Sequence, residues 1–483
     1  MNMMRNLIIC LIFFCCAAFV FSGCKAAREV QMPPVPVVPA SYGDSLSGGT
    51  IASLPLKQFF TDPYLLQLID SVLKNNPDLG IALQQVEIAR ATVAIRKGAL
   101  LPQVNGLVTA SGDHYGKYTM TGVGNFDTNL SSNISEGQKV ATGFTPDFFI
   151  GFRSTWEIDI WGKLKQQQKA AIAGWLATER GRQYLVTGLV ASVASMYYEL
   201  MALDYELKIV KKNVGLQERA LEIIKVQKEG GRATELAVRQ FAAQLLNTQA
   251  LEFRTRQEMV AIELQLNALA GRFPIEIKRD TSLMELPLPS VMHTGVPSDL
   301  LLRRPDIQQA EYELEAAKAN VLAARKAFLP SLTIAPYAGF NAFRGNVIFN
   351  PSSIVYGLIG GITAPIFNGW RIRSDYQVAN AENSQAVYNY QKLIYHSYAE
   401  VVTQYNRMQN NSRIFQLKNQ EFQELSTAAL TARDLYLSGY ANYLEIITAQ
   451  KSLLEAELQL AISKKDIYLS AVDLYRSLGG GWN

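Results

Sequence analysis

The sequence predicts a mixed α/β membrane protein built from two internal repeats, each with two transmembrane β-strands and a long hairpin of α-helices. Three observations lead to this fold class: a large internal duplication, segments in which apolar and polar residues alternate, and two very long stretches without proline. Alternation is the period of a β-strand, whereas the long stretches have the length and composition of coiled-coil helices.

The duplication indicates the domain organisation. Pro77-Asp78 and Pro305-Asp306 begin matching runs, and the chain from Lys163 to Gly271 matches the chain from Arg371 to Gly479 without a gap. We therefore expect repeat 1 at residues 59–272, an equatorial inter-repeat linker at 273–300 and repeat 2 at 301–481. Units of about 200 residues far exceed the roughly 20–50 residues of solenoid repeats. Paired halves of this size suit a ring or a tube better than a globular enzyme.

The N-terminus is typical of an export signal. Arg5 supplies the positive charge, and the apolar run that follows is too short to span a bilayer comfortably. Phe21-Ser22-Gly23-Cys24 resembles a lipoprotein processing site, so residues 1–23 would be the signal peptide and Cys24 would carry the lipid. A plain signal peptide or an uncleaved anchor is the alternative. Residues 24–58 are rich in proline, glycine and serine, which predicts an extended tether.

Composition argues against several classes of protein. The net charge of +4 in 483 residues is too small to indicate nucleic acid as a partner. All four cysteines lie at or before Cys24, which leaves no disulfide framework and no cysteine metal site in the mature chain. His114, His293 and His396 are too scattered for a metal site, and neither a phosphate-binding loop nor a His-Glu-x-x-His pair occurs. We expect no enzymatic activity, no metal and no cofactor other than the lipid.

Four segments are candidate membrane strands. After the signal we expect no transmembrane helix, so a membrane crossing would need strands of a closed barrel. The strands are expected at about 103–112, 147–160, 331–340 and 353–366. In the second of them the alternation assigns Phe148, Ile150, Phe152 and Ile158 to lipid and Arg153, Glu157 and Asp159 to a water-filled lumen.

The remaining regions of each repeat are predicted to be helical. Asp62-Pro63 is a helix start, with aspartate as the N-cap and proline in the first turn. Helical hairpins are expected at 163–271 and 371–478, with turns at Gly230-Gly231 and Gly439. On the last leg Ile446, Leu453, Leu460, Ile467 and Leu474 recur every seven residues, which indicates a left-handed coiled coil.

Four strands cannot close a membrane barrel, because small membrane barrels need eight. An open sheet in lipid would leave backbone groups without partners, at several kcal/mol each. Two chains would supply eight strands around a filled interior, and three would supply twelve around a water-filled lumen. If the strands lie in the membrane, several chains must therefore share one barrel.

Several motifs together resemble the TolC-like outer-membrane efflux proteins, and more narrowly the lipoprotein branch that works with resistance-nodulation-division pumps. The motifs are Leu302-Arg303-Arg304-Pro305-Asp306-Ile307, Phe328-Leu329-Pro330, Trp156-Glu157-Ile158-Asp159-Ile160-Trp161-Gly162-Lys163, Ile366-Phe367-Asn368-Gly369-Trp370-Arg371 and Gly439-Tyr440-Ala441-Asn442-Tyr443-Leu444-Glu445-Ile446. They occur in the family's order over nearly the whole mature chain.

The resemblance implies a homotrimer with a twelve-stranded β-barrel in the outer membrane of a Gram-negative bacterium and an α-helical barrel in the periplasm. Such proteins are passive exit ducts of tripartite efflux systems for small toxic compounds. A periplasmic adaptor docks on the helical tips, and an inner-membrane transporter of the resistance-nodulation-division type supplies the energy.

The resemblance also implies a gate at the periplasmic end. Glu445 falls on one of the family's acidic positions, where three symmetry-related carboxylates would bind cations. Thr448 occupies the other commonly acidic position, which weakens the expected ring. Tyr436 matches a constriction tyrosine of some members. A solvated helix face for Glu445 and simple packing for Tyr436 are the structural alternatives.

The two hairpin tips are the expected docking sites for the adaptor, because small residues allow close approach and leucines can anchor a partner. Alternatively, the glycines only make the turns. Arg303 and Arg304 are expected to make structural contacts. The predicted docking residues are Gly230, Gly231, Ala233, Thr234, Glu235 and Leu236 in repeat 1 and Gly439, Ala441, Asn442 and Leu444 in repeat 2.

Two other functions share part of this pattern. A duct for type I protein secretion has the same fold, and a lipid-anchored periplasmic scaffold would also contain long coiled coils. The sequence leaves open the cargo, the partner pump and adaptor, and whether the resting gate is open or closed.

Overall fold

A computed structural model describes residues 39–42, 50–141, 143–279, 283–289 and 294–482. The predicted signal peptide at 1–23, the lipidation site Cys24, most of the predicted tether and His293 lie outside these described residues. After a 3-10 turn at Ile51–Ser53, the first described α-helices are the short α1 (Leu56–Phe59) and α2 (Pro63–Asn75).

Repeat 1 continues with α3 (Pro77–Gly98), strand β1 (Gln103–Asp113), a short loop helix α4 (Met120–Thr128) and strand β2 (Thr145–Ile158). The helical hairpin follows as α5 (Lys163–Glu229) and α6 (Glu235–Leu269). Asp62 starts α2 as the sequence predicts, because its carboxylate accepts hydrogen bonds from the backbone N–H groups of Tyr64 and Leu65.

Repeat 2 has the same order of main elements, without a counterpart of the loop helix α4 among its described residues. It contains α7 (Asp299–Arg303), α8 (Pro305–Lys326), β3 (Ser331–Ala342), β4 (Ile354–Thr363) and the hairpin of α9 (Arg371–Leu437) and α10 (Tyr443–Ser477). The outgoing helix has 67 residues and the returning helix 35 residues in both hairpins. The gapless sequence match between the hairpins therefore corresponds to equal helix lengths.

The four strands form one antiparallel sheet in the order β1-β2-β3-β4. Residues opposite each other on neighbouring strands project to the same side of a sheet, so the register decides which residues share a face. Val108 pairs with Ile150, Ile150 with Phe340, and Phe340 with Ile354. The even-numbered residues of all four strands consequently share one face.

The strand bounds correct two expectations. β2 ends at Ile158 and β4 ends at Thr363, short of the predicted ends at 160 and 366. The assignment of Asp159 to the lumen face of a strand is therefore wrong. Its carboxylate instead accepts hydrogen bonds from the backbone N–H groups of Leu164 and Lys165, which would otherwise be unsatisfied in the first turn of α5.

The chain forms two compact units, and each draws on both repeats. One unit contains the sheet, within residues 89–175 and 313–386. The other contains the described residues within 34–88, 176–312 and 387–482. Its main core packs α2 against the middle of α5, with Leu65, Ile69, Tyr197, Leu200 and Leu266 essentially inaccessible to solvent.

One segment of α5 departs from the expectation that no later stretch could cross a membrane. A window of 18 residues in this helix is long and apolar enough by length and composition, and 61% of it is buried within the protein. Val193, Ala194 and Tyr197 belong to the main core. The apolar stretch is therefore explained by packing inside the second unit.

Candidate functional site

The sheet has one continuous apolar face. It is formed by the even-numbered residues of the strands: Val104, Val108, Ala110, Phe148, Ile150, Phe152, Trp156, Ile158, Leu332, Ile334, Ala338, Phe340, Ile354, Tyr356, Leu358 and Ile362. Many of these side chains are exposed in the single chain, among them Val108 at 75% and Leu358 at 70%. An exposed apolar surface of this extent indicates contact with lipid or another protein.

The opposite face of the sheet is largely polar. Arg153 and Glu157 lie on this face, opposite to Phe148, Ile150, Phe152 and Ile158, as the alternation predicts. The Arg153 guanidinium lies 4.8 Å from the ring centroid of Phe149, a buried aromatic residue on the same face. Phe149 is not among the predicted site residues, although its odd position in the alternation identifies its face.

Glu157 has an ion-pair partner at the end of the strand. Its carboxylate lies 2.6 Å from the ammonium of Lys163, the first residue of α5. This ion pair links the end of strand β2 to the start of helix α5. Both side chains are only partly exposed. The Glu157 carboxylate therefore lies on the polar face of the sheet and also takes part in this ion pair.

The two hairpin tips have the same backbone turn. In repeat 1, Gly231 has φ 72°, and the N–H of Arg232 donates to the carbonyl of Gln227. In repeat 2, Gly439 has φ 82°, and the N–H of Tyr440 donates to the carbonyl of Leu435. Only glycine adopts this left-handed conformation readily, so both glycines are required by the turn whatever binds there.

The residues after each turn start the returning helix. The Thr234 hydroxyl accepts a hydrogen bond from the N–H of Ala237, and the Asn442 side chain accepts from the N–H groups of Leu444 and Glu445. Glu235 forms ion pairs with Lys228 and Arg239. Hydrogen bonds from Lys228 and then Arg239 lower the pKa of the Glu235 carboxyl.

Both leucines among the predicted docking residues are exposed. Leu236 is 60% exposed and Leu444 is 50% exposed. Gly230 is also exposed, while Ala233 and Ala441 are partly buried. The predicted docking residues thus divide into those that shape the turn or cap the helix and two leucines that are available to a partner.

An apolar cluster joins the two tips. Ile224, Ala237, Phe241 and Ile446 are buried together, and Tyr436 packs against them. The Tyr436 hydroxyl donates a hydrogen bond of 2.5 Å to the side-chain oxygen of Gln227. This bond connects the outgoing helices of the two hairpins near their ends.

A groove of about 550 Å³ lies next to this cluster. Its lining combines apolar side chains, including Ile223 and Leu430, with the guanidinium-bearing residues Arg219 and Arg433. Sequence reasoning missed the groove, since its two walls come from helices that are about 200 residues apart in the chain.

Glu445 and Thr448 are both exposed on the first two turns of α10. No ion pair involving Glu445 occurs in the described part of the chain. Across the same described part, no group of three or more His, Cys, Asp or Glu side chains could hold a metal ion. Whether Glu445 forms a gate ring with its symmetry mates stays a prediction.

An exposed apolar sheet face, open strand edges and paired helical hairpins define a membrane channel of the outer-membrane type. The chain belongs to the outer membrane efflux protein family, whose model matches residues 68–272 and 296–480.

Known proteins of this kind match over almost their whole length. The probable efflux pump outer membrane protein SepC of Pseudomonas putida is 30% identical over 493 residues, with 96% of this chain and 95% of SepC covered. The cation efflux system protein CusC of Escherichia coli is 28% identical over 476 residues, covering 97% and 98%.

Solved structures agree with this assignment. A structure of CusC, 27% identical, has a TM-score of 0.78 and covers 95% of this chain and all of that one. The outer-membrane channel OprN, 24% identical, has a TM-score of 0.82 over the same shares of the two chains. The protein is therefore an outer-membrane efflux channel and not an enzyme.

Proposed function

We propose that this chain forms, as a homotrimer, the exit duct of a tripartite efflux system that releases small toxic compounds from the periplasm to the exterior. The observation that carries the proposal is the four-stranded sheet with one apolar face and two open edges. β1 and β4 have unpaired edges in the single chain, which cannot persist in hydrocarbon.

Edge pairing between copies satisfies these backbone groups. If β4 of one chain pairs with β1 of the next, three chains close a barrel of twelve strands, which is wide enough for a water-filled lumen. The apolar face would then contact lipid, and the face with Arg153 and Glu157 would line the lumen. The helical hairpins of three chains would form the periplasmic α-barrel.

Lipidation of Cys24 belongs to the same proposal. The sequence around Cys24 supports it, and the acyl chains would add a membrane anchor to that supplied by the barrel. The partners we propose are a periplasmic adaptor, docked through Leu236 and Leu444 at the tips, and an inner-membrane transporter of the resistance-nodulation-division type.

The names of the relatives support efflux of small cargo over secretion of proteins. SepC is described as part of an efflux pump and CusC as part of a cation efflux system. The scaffold alternative has no support, because the family is one of outer-membrane channels.

Conductance in planar bilayers tests the duct directly. Purified protein should insert as a heat-modifiable trimer and give discrete ion-conducting steps. A deletion strain should become sensitive to organic solvents, dyes or metal cations and should regain resistance when this chain is restored. Monomers without conductance, in preparations that retain their helical content, would contradict the proposal.

A further inference from the structure

The two repeats differ at the junction where a strand passes into a long helix. In repeat 1, Gly162 precedes Lys163 and has φ 75°. In repeat 2, Trp370 precedes the matching Arg371 and has φ 69°, and it is the sole non-glycine residue with positive φ in the described part of the chain. A tryptophan in this conformation is strained, and strained residues cluster at functional sites.

In the repeat 1 junction, several polar side chains bond to other groups of the protein. Asp159 caps α5, the indole N–H of Trp161 donates to the carbonyl of Pro330 at 2.7 Å, and Lys163 pairs with Glu157. The carboxylates of Asp159 and Glu157, the indole N–H of Trp161 and the ammonium of Lys163 therefore have partners within the protein.

The repeat 2 junction presents its side chains outward. In the alignment of the two repeats, Phe367 occupies the position of the capping Asp159. Its side chain is 86% exposed. Ile366 is 95% exposed and Trp370 is 65% exposed. These three residues, which we call the apolar wedge, follow directly after β4 at the end of the sheet where α9 begins.

Two arginines accompany the apolar wedge. Arg371 and Arg373 are exposed, and no ion pair involving either one occurs among the described residues. The Arg373 guanidinium lies 5.4 Å from the ring centroid of Trp370, as in a cation–π contact. Apolar and aromatic side chains next to unpaired arginines are the combination that binds the boundary between acyl chains and phosphate headgroups.

We propose that the apolar wedge with Arg371 and Arg373 is a phospholipid site, in which the wedge enters the inner leaflet of the outer membrane and the arginines bind an anionic headgroup. The inference rests on the proposed membrane placement of the sheet. The wedge continues the exposed apolar face of β4, formed by Ile354, Tyr356, Leu358 and Ile362. We assign the site to repeat 2 because Phe367 and Trp370 replace the capping Asp159 and Gly162 of repeat 1, so a trimer would carry three.

A single probe measures where the wedge lies. Since no cysteine occurs after Cys24, Phe367→Cys can be spin-labelled selectively in the lipidated protein. In vesicles of phosphatidylethanolamine and phosphatidylglycerol, the label should be relaxed by oxygen and shielded from a water-soluble nickel chelate. Tyr440→Cys at the exposed hairpin tip is the matched control and should show the reverse. A label at 367 that nickel reaches, or that neither reagent reaches because a neighbouring copy covers it, overturns the proposal.

The headgroup preference is tested with the arginines. Trimers equilibrated with equal amounts of phosphatidylglycerol and phosphatidylcholine should retain phosphatidylglycerol preferentially, as measured by native mass spectrometry. Arg371→Ala with Arg373→Ala should reduce this enrichment at least about five-fold, whereas Lys165→Ala, the repeat 1 counterpart of the Arg373 change, should leave it unaltered. Equal enrichment in wild type and the double variant would refute headgroup binding.

Trp370→Gly separates a lipid role from a packing role. Glycine relieves the backbone strain, so the trimer in detergent should resist heat at least as well as wild type while retaining less phosphatidylglycerol. Lower heat resistance would mark Trp370 as a packing residue and count against the site. Conductance of the same preparations reports the duct separately. Normal conductance with a water-exposed wedge overturns the lipid site alone, and absent conductance in wild type overturns the proposed function.

Discussion

Arg304 is buried among partners from three separate parts of the second unit. Its guanidinium donates two hydrogen bonds to Asp306, one to Glu400 at 2.7 Å and one to the carbonyl of Ser477 at 2.8 Å. Burial lowers the pKa of Arg304, but the hydrogen bonds and charges of Asp306 and Glu400 outweigh it and raise the pKa overall. This one residue ties the start of α8 to α9 and to the end of α10.

Removing Arg304 should therefore be costly. Arg304→Ala leaves the buried carboxylate of Asp306 without its cation, while Glu400 keeps its ion pair with Arg476, and we expect a loss of about 3–5 kcal/mol in the free energy of unfolding. Urea denaturation followed by circular dichroism measures this loss. Arg303→Ala is the control and should change stability by less than about 1 kcal/mol. Equal effects of the two substitutions would contradict the assigned role of Arg304.

Lys464 predicts a specific pH dependence. Its ammonium is buried and donates to the carbonyls of Met284 and Leu286, both at 2.8 Å. Burial lowers the pKa of Lys464 from its ordinary value of 10.5. At pH values between the pKa of Lys464 in the folded chain and its pKa in the unfolded chain, the unfolded chain holds more protons. The contribution of Lys464 to stability therefore increases as pH rises toward 10.5.

The test compares wild type with Lys464→Met. The variant should be about 1–3 kcal/mol less stable at neutral pH, because two carbonyls lose their donor. This deficit should grow as pH approaches 10.5. Lys465→Met, next in the chain, is the control for replacing a neighbouring lysine. A deficit for Lys464→Met that is independent of pH would show that burial does not disfavour the charged lysine.

At the residue scale, local sequence signals identified caps and turns but not long-range contacts. Asp62 and the tip glycines were predictable because capping and left-handed turns depend on neighbours within a few residues. The hydrogen bond from Tyr436 to Gln227 joins distant parts of the chain, and so do the hydrogen bonds from Lys464 to backbone carbonyls. No local pattern could identify these partners.

Among the secondary-structure elements, the helical hairpins were the best predicted. Their bounds match the expected 163–271 and 371–478 because proline-free periodic stretches end at glycine turns. Strand ends were less accurate, since Ile160 and Ile366 continue the apolar alternation after the hydrogen-bonded ladder has ended. Helix α4 was not anticipated, because its segment contains two glycines and resembles a loop.

The contact between the hairpin tips gives a test of the predicted periplasmic gate. Tyr436→Phe keeps the ring in the apolar cluster but removes the hydrogen bond to Gln227. Loss of this bond should weaken the pairing of the hairpins by about 1 kcal/mol and increase the fraction of open channels in planar bilayers. Gln227→Leu should have the same effect, and the double variant should add little to either one. Additive effects would show that the two side chains act separately.

The predicted role of Glu445 in the gate is tested by removing its charge. Glu445→Gln should weaken block of the conductance by divalent cations, since a ring of three carboxylates attracts cations at the axis. Thr448→Glu should strengthen the block by adding a second ring on the same face one turn later. Unchanged cation dependence in both variants would remove this face of α10 from the gate.

At the scale of the whole molecule, the register of one sheet carries the membrane assignment. The alternation along β2 was visible in the sequence, but the alignment of the apolar positions on all four strands depends on pairing between the repeats. The weak β1 pattern illustrates this dependence: Val104 and Val108 alone are poor evidence, yet they continue the apolar face of their neighbours. Pairing across a trimer lies beyond what one chain can specify.

Two adjacent residues in the middle of β4 give the sharpest test of that assignment. Leu358 is 70% exposed on the apolar face, and Ile359 is 65% exposed on the opposite face. If the apolar face meets lipid, Leu358→Arg places a charge near the bilayer midplane and should cost about 2–4 kcal/mol. The heat-modifiable trimer should then form poorly in membranes.

The comparison variant is Ile359→Arg. It introduces the same side chain as Leu358→Arg, at the next position of the strand and with similar exposure. It should assemble normally and shift the ion selectivity of the channel toward anions, because its guanidinium would stand in the lumen. Gel mobility before and after heating, followed by reversal potentials in a salt gradient, distinguishes the two variants. If both arginines are tolerated equally, the sheet is not lined by lipid on one side and water on the other. If only Ile359→Arg blocks assembly, the two faces are assigned the wrong way round.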